Sequence, residues 1–352
     1  MLVKPVSGCC GLRCRYCFYQ GHSKGAMTLD TLETLVEKAL SFADGSCAFL
    51  FQGGEPTLAG LPFYEALINN QKRYNAKRVK IFNAMQANGM HIDRAWAGFF
   101  AKNDFLVGLS LDGPEELHNQ NRRNAKGEGS FARVMQSSDM LKQAGAQFNI
   151  LCVVNKTNAA QGRQLYRFYQ DNGFKHLQFI TCLDPPGARR GSLPWSLTPK
   201  DYLAFLKPVF GLWYRDCLNG DAPGIRYFDN LLGIVLGRPP EACGMTGICG
   251  CQFVTEADGS VYPCDFYVSD EWKIGSILEH SFEEMRFSPS CMRFIEESLQ
   301  LHKQCKACRW FALCGGGCKR DRVAGKNYYC ECYQSFFEYA LPRLRELARQ
   351  LK

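Results

Sequence analysis

Nineteen cysteines in a chain of 352 residues limit what this sequence can fold into. An odd number cannot pair completely, and disulfide scaffolds are usually short secreted chains. The chain begins with a short apolar run and reaches turn residues by Gly8-Cys9-Cys10, without the long apolar segment of a signal peptide. We therefore expect a cytoplasmic protein with reduced thiols, in which clustered cysteines bind metal.

The charge balance gives no indication of a nucleic-acid partner. Lys and Arg number 42 against 34 Asp and Glu, a formal net charge of +8, and no run of five or six like charges occurs. At 46% hydrophobic and 22% charged residues, the composition is that of an ordinary globular protein. No stretch approaches the roughly 18 consecutive apolar residues of a membrane span. We expect neither nucleic acid nor membrane as a partner.

The first two thirds of the chain alternate two kinds of apolar pattern. Short continuous apolar runs predict strands at residues 2–6, 47–51, 79–85, 105–111, 148–154 and 177–180. Helical spacing predicts helices between them at residues 29–40, 61–74, 92–101 and 130–144. About six β–α units predict an α/β fold with a parallel sheet covered by helices. A partly closed, TIM-like (β/α)6 barrel and a doubly wound open sheet both fit this pattern.

Three stretches carry helix-boundary signals. Gly145 is placed to end the helix before it. Asn158 and Gln161 resemble a capping box that opens the next helix. Thr198-Pro199, followed by an acidic residue, is a strong helix start, because proline is favoured at the first helical position.

The character of the chain changes after about residue 238. Residues 238–240, Arg-Pro-Pro, are typical of a linker, and eleven cysteines lie between Cys243 and Cys332. This segment has too little apolar periodicity for a large core, so bound metal is expected to organise it. A leucine-rich pattern predicts a final helix. We therefore predict a barrel domain at residues 1–237, a cysteine-rich domain at 238–335 and a C-terminal helix at 336–352.

The first cysteine cluster follows the first strand, with the spacing Cys10-x3-Cys14-x2-Cys17. Three thiolates leave one iron of a 4Fe–4S cluster without a protein ligand, and that open position can bind a small molecule. A structural zinc site needs four ligands, and Cys9 or His22 could supply the fourth. Cys9 is also a possible first ligand in place of Cys10.

This triplet, with Tyr16 and Phe18 around its last cysteine, resembles that of the radical S-adenosylmethionine (SAM) enzymes. Residues 53–56, Gly-Gly-Glu-Pro, are similar to the GGEP motif of that family. The resemblance implies a SAM-binding 4Fe–4S cluster and reductive cleavage of SAM to a 5′-deoxyadenosyl radical. Asn88 and Ser110 lie at later strand ends, where relatives contact SAM. For both residues, a role in a turn or helix cap is as well supported as a contact with SAM. The implied cofactor contacts are Gly53, Gly54, Glu55, Asn88, Ser110, Tyr19 and Gln52.

The later cysteines combine a CxxC pair with a CxxxxxCxxxC group. A zinc ribbon is one explanation. The arrangement also resembles a SPASM domain, which carries two auxiliary 4Fe–4S clusters. Four thiolates close each cluster, which suits electron transfer rather than substrate binding. The resemblance implies that the first auxiliary cluster is bound by Cys243, Cys249, Cys264 and Cys318, and the second by Cys305, Cys308, Cys314 and Cys330.

Further motifs extend the resemblance to the anaerobic sulfatase-maturating enzymes over nearly the whole chain. They lie at residues 51–60, 108–114, 225–229, 243–245, 261–267 and 327–330. The resemblance implies oxidation of a Cys or Ser in a sulfatase to Cα-formylglycine without oxygen. It also implies an unfolded or nascent sulfatase polypeptide as substrate, and a reductase or a flavodoxin- or ferredoxin-type protein as electron donor.

Asp265 directly follows an implied cluster ligand and matches the proposed base of that family. A carboxylate there can take the substrate proton, although a loop hydrogen-bonding role is the alternative. Tyr19, Gln52 and Arg226 are also candidate substrate-side contacts. Two other functions stay open at this point. One is another SPASM peptide modifier, such as a thioether-forming maturase, and the other is an electron carrier, which would leave the GGEP motif without a use.

Overall fold

The protein is described here from a computed structural model that covers residues 1–185 and 187–351. Its strands are β1 Leu2–Val3, β2 Ser46–Phe51, β3 Lys80–Ala87, β4 Phe105–Ser110, β5 Phe148–Val154, β6 His176–Thr181, β7 Gly224–Ile225, β8 Val254–Thr255, β9 Ser260–Tyr262, β10 Gly275–Ser276, β11 Arg322–Val323 and β12 Lys326–Asn327. Its α-helices are α1 Leu29–Phe42, α2 Leu61–Tyr74, α3 Arg94–Lys102, α4 Glu115–Asn121, α5 Phe131–Ala144, α6 Lys156–Ala159, α7 Gly162–Asp171, α8 Pro199–Asn219, α9 Arg226–Val235, α10 Phe282–Arg286, α11 Pro289–Ser298, α12 Lys303–Lys306, α13 Phe311–Cys314 and α14 Cys330–Gln350.

The chain forms two compact units, each assembled from segments that are distant in the sequence. Unit 1 comprises Met1–Ser110, Arg122–Phe148 and Gly250–Ile295. Unit 2 comprises Leu111–Asn121, Asn149–Cys249 and Glu296–Lys352. The linear domain boundaries near residues 237 and 335 stay a prediction.

The sheet of unit 1 has the strand order β10-β9-β8-β1-β2-β3-β4. The strands from β8 to β4 pair in parallel, whereas β9 and β10 are antiparallel to their neighbours. Phe49, Phe51, Met85, Val107 and Leu109 on β2 to β4 are fully buried. Continuous apolar strands of this kind are typical of a parallel sheet that helices cover.

Helix α1 shows why the predicted helices of unit 1 form. The Thr28 side chain caps it by accepting a hydrogen bond from the Thr31 backbone N–H at 3.1 Å. Leu32, Leu35 and Val36 recur at helical spacing and are fully buried. The helix therefore has a capped start and one apolar face that the core of the unit covers.

In unit 2, strands β5, β6 and β7 pair in parallel. Helix α8 begins where the sequence predicts, because Thr198 and Asp201 form a reciprocal capping box around Pro199. Phe210 of α8 packs edge-on against Phe336 of α14, with ring centroids 5.5 Å apart. These contacts give the long helix α8 a buried partner.

Three local predictions were wrong. Strand β1 ends at Val3 rather than near residue 6, because Ser7 turns back to donate to the Lys4 carbonyl at 3.2 Å. The capping box lies at Asn155 and Asn158, and Gln161 makes no side-chain cap. Helix α14 begins at Cys330, six residues before its predicted start at residue 336.

Candidate active site and cysteine clusters

The first cysteine cluster lies on a loop that leaves the end of β1 in unit 1. Cys10, Cys14 and Cys17 are all partly exposed, so none is locked inside the core. The Leu12 backbone N–H and the Asn88 side-chain amide each donate to Cys10 Sγ at 3.4 Å. The loop therefore presents three thiols, one of them already oriented by polar groups. Such a trio fits a four-iron cluster with one open iron.

Two cations near Cys14 and Cys17 oppose the effect of burial on these thiols. Burial raises the pKa of the Cys10 and Cys17 thiols, while the positive charges of Arg122 and Lys4 oppose the rise at Cys17. Arg122 Nη1 also lies 4.0 Å from Cys14 Sγ. Metal ligation requires deprotonated thiols, so these two cations favour it. Sequence reasoning missed Arg122, because no local motif marks a buried arginine that folding brings in from another segment.

The two glycines of the GGEP motif are required by close approach of the backbone. At Gly53, φ is +125°, and a Cβ atom would lie 2.8 Å from the Ser7 carbonyl oxygen. At Gly54 a Cβ atom would lie 2.0 Å from the Cys9 carbonyl oxygen, which is sterically impossible. The Gly54 and Glu55 backbone N–H groups donate to the Ser7 and Cys9 carbonyls at 2.6 and 2.7 Å. The motif therefore holds the start of the cysteine loop against the end of β2.

Glu55 is buried, and its carboxylate links its own segment to the residue that follows β3. Its carboxylate accepts from the Thr57 backbone N–H at 3.2 Å and from the Asn88 backbone N–H at 2.7 Å. Complete burial raises the pKa of this carboxyl, and these hydrogen bonds oppose the rise. The Asn88 side chain reaches Cys10, so Glu55 fixes the residue that orients that thiol.

The remaining predicted cofactor contacts lie at strand ends in unit 1. Gln52 follows β2, where its backbone N–H donates to the Val3 carbonyl at 3.0 Å, and Ser110 ends β4. An open cavity of about 1040 Å³ lies beside the cysteine loop, and Cys9, Cys10 and His22 are among its lining residues. None of the seven predicted cofactor contacts is among its lining residues, so the cavity does not mark the predicted SAM site.

Asp265 belongs to an ionic and aromatic cluster in unit 1 that is centred on Lys4. Its carboxylate forms an ion pair with the ammonium group of Lys4, which is fully buried. Lys4 Nζ also lies 3.3 Å from the centroid of the Tyr19 ring, and the His22 ring stacks on Tyr19 at 4.2 Å. The cluster places the predicted base beside a predicted substrate contact.

One further contact connects this cluster to the cysteine loop, and one further carboxylate lies within the cluster itself. Phe266, next to Asp265, packs edge-on against Phe18, next to Cys17, with ring centroids 5.3 Å apart. Glu256 is fully buried, which raises the pKa of its carboxyl, and the charge of Lys4 opposes the rise. The fully buried Lys4 therefore interacts electrostatically with two carboxylates, and sequence reasoning did not identify it.

Most of the predicted cluster ligands among the later cysteines lie in unit 2. Cys314 interacts electrostatically with Cys305, Cys308 and Cys330, so the four predicted ligands of one auxiliary cluster are near one another. They supply the all-sulfur donor set of a closed four-iron cluster.

Three predicted ligands of the other auxiliary cluster also interact in unit 2. Cys318 interacts electrostatically with Cys243 and Cys249, whereas the fourth predicted ligand, Cys264, belongs to unit 1. Within residues 1–185 and 187–351, no three His, Cys, Asp or Glu side chains are placed to hold a single metal ion. A four-iron cluster does not need such convergence, because each thiolate binds a different iron.

Other predicted residues lie elsewhere. Arg226 is exposed at the start of α9, and its Nη1 donates to Gln178 Oε1 at 3.3 Å. Cys291 and Cys332, which the cluster assignment leaves over, are fully or almost fully buried. Across the helices of the described residues, none has the length and apolar character needed to cross a membrane.

Comparison with known proteins defines the class first. Residues 5–169 match the family model of the radical SAM superfamily, and residues 248–309 match that of the SPASM iron–sulfur cluster-binding domain. The predicted α/β fold, the SAM-dependent class and the iron–sulfur domain are therefore confirmed. The structure of SuiB from Streptococcus suis bound to S-adenosylmethionine has a TM-score of 0.64 at 17% identity over 93% of this chain and 75% of that one, which shows the shared fold alone.

Full-length relatives then define the family. The chain is 47% identical to a cysteine-type anaerobic sulfatase-maturating enzyme of Clostridium perfringens, over 100% of this chain and 99% of that protein. It is 31% identical to a serine-type enzyme of Bacteroides thetaiotaomicron, over 100% and 91% of the two chains. The structure of native anSMEcpe with bound AdoMet and Cp18Cys peptide has a TM-score of 0.97 at 48% identity, covering 100% and 99%. This chain belongs to the anaerobic sulfatase-maturating enzyme family, as its motifs predict.

Proposed function

We propose that this protein oxidises a cysteine side chain of a sulfatase to Cα-formylglycine without oxygen. The observation that carries the proposal is 47% identity over the full length to a cysteine-type enzyme, against 31% to a serine-type one. A solved relative with a TM-score of 0.97 holds AdoMet and a peptide, which supports a peptide segment as the substrate. We further propose that the sulfatase is bound unfolded or nascent, in the cytoplasm, and that a flavodoxin- or ferredoxin-type protein or a reductase supplies electrons.

The cofactor sites proposed are those that the motifs predict. Cys10, Cys14 and Cys17 would hold the SAM-binding cluster, and the two later groups of four cysteines would hold the auxiliary clusters. The segment from Gln52 to Glu55, with Tyr19, Asn88 and Ser110, would line the SAM site. When bound, SAM and its cluster supply a 5′-deoxyadenosyl radical that takes a hydrogen atom from the substrate.

The protein's own residues handle the proton. Turning a Cβ–S single bond into a double bond removes a hydrogen atom, a proton and an electron from the substrate. Asp265 is the proposed base for the proton, because its carboxylate lies beside Tyr19 and near the cysteine loop. Lys4 is a positioning residue: its ion pair fixes the direction of the Asp265 carboxylate.

The Asp265→Asn variant tests the base role. Loss of a positioned general base costs about 10²- to 10⁴-fold in rate. We therefore expect formylglycine production to fall by that factor while iron content and 5′-deoxyadenosine formation persist. Asp270→Asn is the matched control, since Asp270 lies in the same segment with an exposed side chain. Unchanged formylglycine production by Asp265→Asn would rule out the base role.

A paired-peptide experiment tests the substrate class. Two peptides that differ only in Cys or Ser at the target position are incubated anaerobically with reduced, cluster-loaded enzyme and SAM. We expect the Cys peptide to be converted to the aldehyde, with release of sulfide, faster than the Ser peptide. Conversion of the Ser peptide alone would contradict the proposed cysteine specificity, and conversion of neither would contradict the function.

A further inference from the structure

A short segment of unit 2 concentrates positive charge around the second group of cysteines. Residues 299–331 contain seven Lys and Arg but only two acidic residues, Asp321 and Glu331. Asp321 is buried and already paired with Arg190 at 2.7 Å. Glu331 is therefore the one acidic side chain that this segment exposes to solvent.

Three of the seven cations are used inside the protein. Lys319 pairs with Glu297 at 2.9 Å. Arg320 donates to the Asp184 carbonyl at 2.6 Å, and Arg322 donates to the Ser298 carbonyl at 2.5 Å. These side chains hold loops in place and are not available to a partner.

The other four cations form a surface of their own, which we call the basic surface: Lys303, Lys306, Arg309 and Lys326. The first three are exposed and Lys326 is half-buried. The hairpin between β11 and β12 brings Lys326 to the same place, because the Gly325 carbonyl accepts from the His302 backbone N–H at 3.0 Å. Among the described residues, no carboxylate lies within 4.0 Å of the charged nitrogen atoms of Lys303, Lys306 or Lys326.

The residues of the basic surface are close in sequence to predicted cluster ligands that solvent can reach. Cys305 and Cys308 alternate with Lys303, Lys306 and Arg309 along the chain, and both cysteines are partly exposed. The charge of Lys326 acts on the Cys330 thiol. The basic side chains thus lie next to the part of the protein where an electron carrier would need to approach.

Exposed apolar side chains occur in the same segment. Leu299 and Val323 are each 57% exposed, and Phe311 is 37% exposed. Apolar contacts ringed by charged residues are the usual composition of a transient protein interface. A free metal-binding or nucleotide-binding pocket would instead be concave and mostly buried.

We propose that the basic surface binds an acidic one-electron carrier protein of the flavodoxin or ferredoxin type. The inference rests on the proposed function, which takes up one electron when SAM is cleaved and releases one when the substrate radical is oxidised. One carrier molecule is oxidised in the first event and one is reduced in the second, so electrons balance in each turnover. Four unpaired or weakly paired cations beside accessible ligand cysteines match the negative surface of such a carrier.

Charge reversal on the cluster-loaded protein tests the proposal by binding rather than by turnover. The probe is an acidic flavodoxin in its oxidised form, and its dissociation constant is measured anaerobically at several salt concentrations. We expect the triple variant Lys303→Glu, Lys306→Glu, Lys326→Glu to bind about tenfold or more weakly at low salt and to lose most of the salt dependence.

A matched variant controls for net charge. Lys72→Glu, Lys102→Glu, Lys126→Glu reverses three exposed lysines of unit 1 and should leave the dissociation constant within about twofold. The iron content of each variant must equal that of the wild type. If glutamate impairs cluster loading, the corresponding Lys→Gln triple takes its place, and we expect it to show an intermediate loss of binding. The proposal is overturned if the wild type does not bind the probe, if both Glu variants weaken binding alike, or if heparin binds the same surface as tightly as flavodoxin.

Formylglycine production with a small chemical reductant separates this proposal from the proposed function. We expect the basic-surface variant to match the wild type in that assay, because no carrier needs to dock. Absence of product from the wild type itself would count against the proposed function alone. A normal chemical rate together with unchanged carrier binding would count against the basic surface alone.

Discussion

Replacing Lys4 by Met tests whether its buried ion pair holds the site together. Lys4 is 0% exposed and its partner Asp265 is 12% exposed, so neither charge is well solvated. Removing one partner of a buried ion pair typically lowers the free energy of unfolding by about 3–5 kcal/mol. We expect a loss of about 3 kcal/mol here, because Asp265 keeps some contact with solvent. With an unfolding entropy of about 2.1 cal/mol/K per residue over this chain, the loss corresponds to a fall in Tm of about 4 °C.

The exposed pair of Lys24 and Asp258 in the same unit provides the control. Its nitrogen and oxygen are 3.6 Å apart, and the two side chains are 40% and 36% exposed. Such pairs contribute about 0–1 kcal/mol, so Lys24→Met should lower Tm by about 1 °C or less. Anaerobic thermal unfolding of cluster-loaded protein, followed by circular dichroism, measures both. Equal shifts in the two variants would refute the argument from burial.

The pH dependence of the stability that Lys4→Met loses gives a second check. Burial raises the pKa of the Glu256 carboxyl in the folded protein, and Lys4 opposes the rise, so removing Lys4 should raise that pKa further. A carboxyl with a raised folded pKa destabilises the protein as pH rises through that value. The loss of stability relative to the wild type should therefore be largest near neutral pH. It should shrink as the pH falls towards about 4.3, the pKa of a glutamate carboxyl in the unfolded chain.

Two further predictions concern backbone packing and metal content. Gly54→Ala should abolish SAM cleavage, because its Cβ would lie 2.0 Å from the Cys9 carbonyl oxygen. The control Gly98→Ala, whose Cβ would meet no atom within 4 Å, should be neutral or slightly stabilising. A 5′-deoxyadenosine assay measures cleavage and thermal unfolding measures stability, and normal cleavage by Gly54→Ala would contradict the packing argument. If each group of ligand cysteines holds one four-iron cluster, reconstituted protein should contain about 12 iron atoms per chain and the Cys305→Ser variant about 8. An anaerobic iron and sulfide assay measures both. A value of about 4 in the wild type would contradict the presence of the auxiliary clusters.

Much of the fold was predictable because its signals are local. Apolar runs and helical spacing predict β5 and α2 to the residue, and the Thr198 box predicts the start of α8. The same reasoning misplaced the capping box near Asn158, because either of two adjacent Asn or Gln pairs fits the pattern and only backbone conformation selects one. It also missed the first turn and a half of α14, which lacks the leucines that mark the rest.

The sequence alone determined which residues are chemically suited to the site. Thiol spacing, the GGEP motif and their order along the chain are covalent facts, and they were enough to predict the family. Only the tertiary structure decided what surrounds these residues. The buried Lys4 beside Asp265, the Arg122 near Cys14 and the hairpin that brings Lys326 to the later cysteines all join segments far apart in sequence. Such contacts depend on how apolar surfaces pack, and no local spacing encodes them.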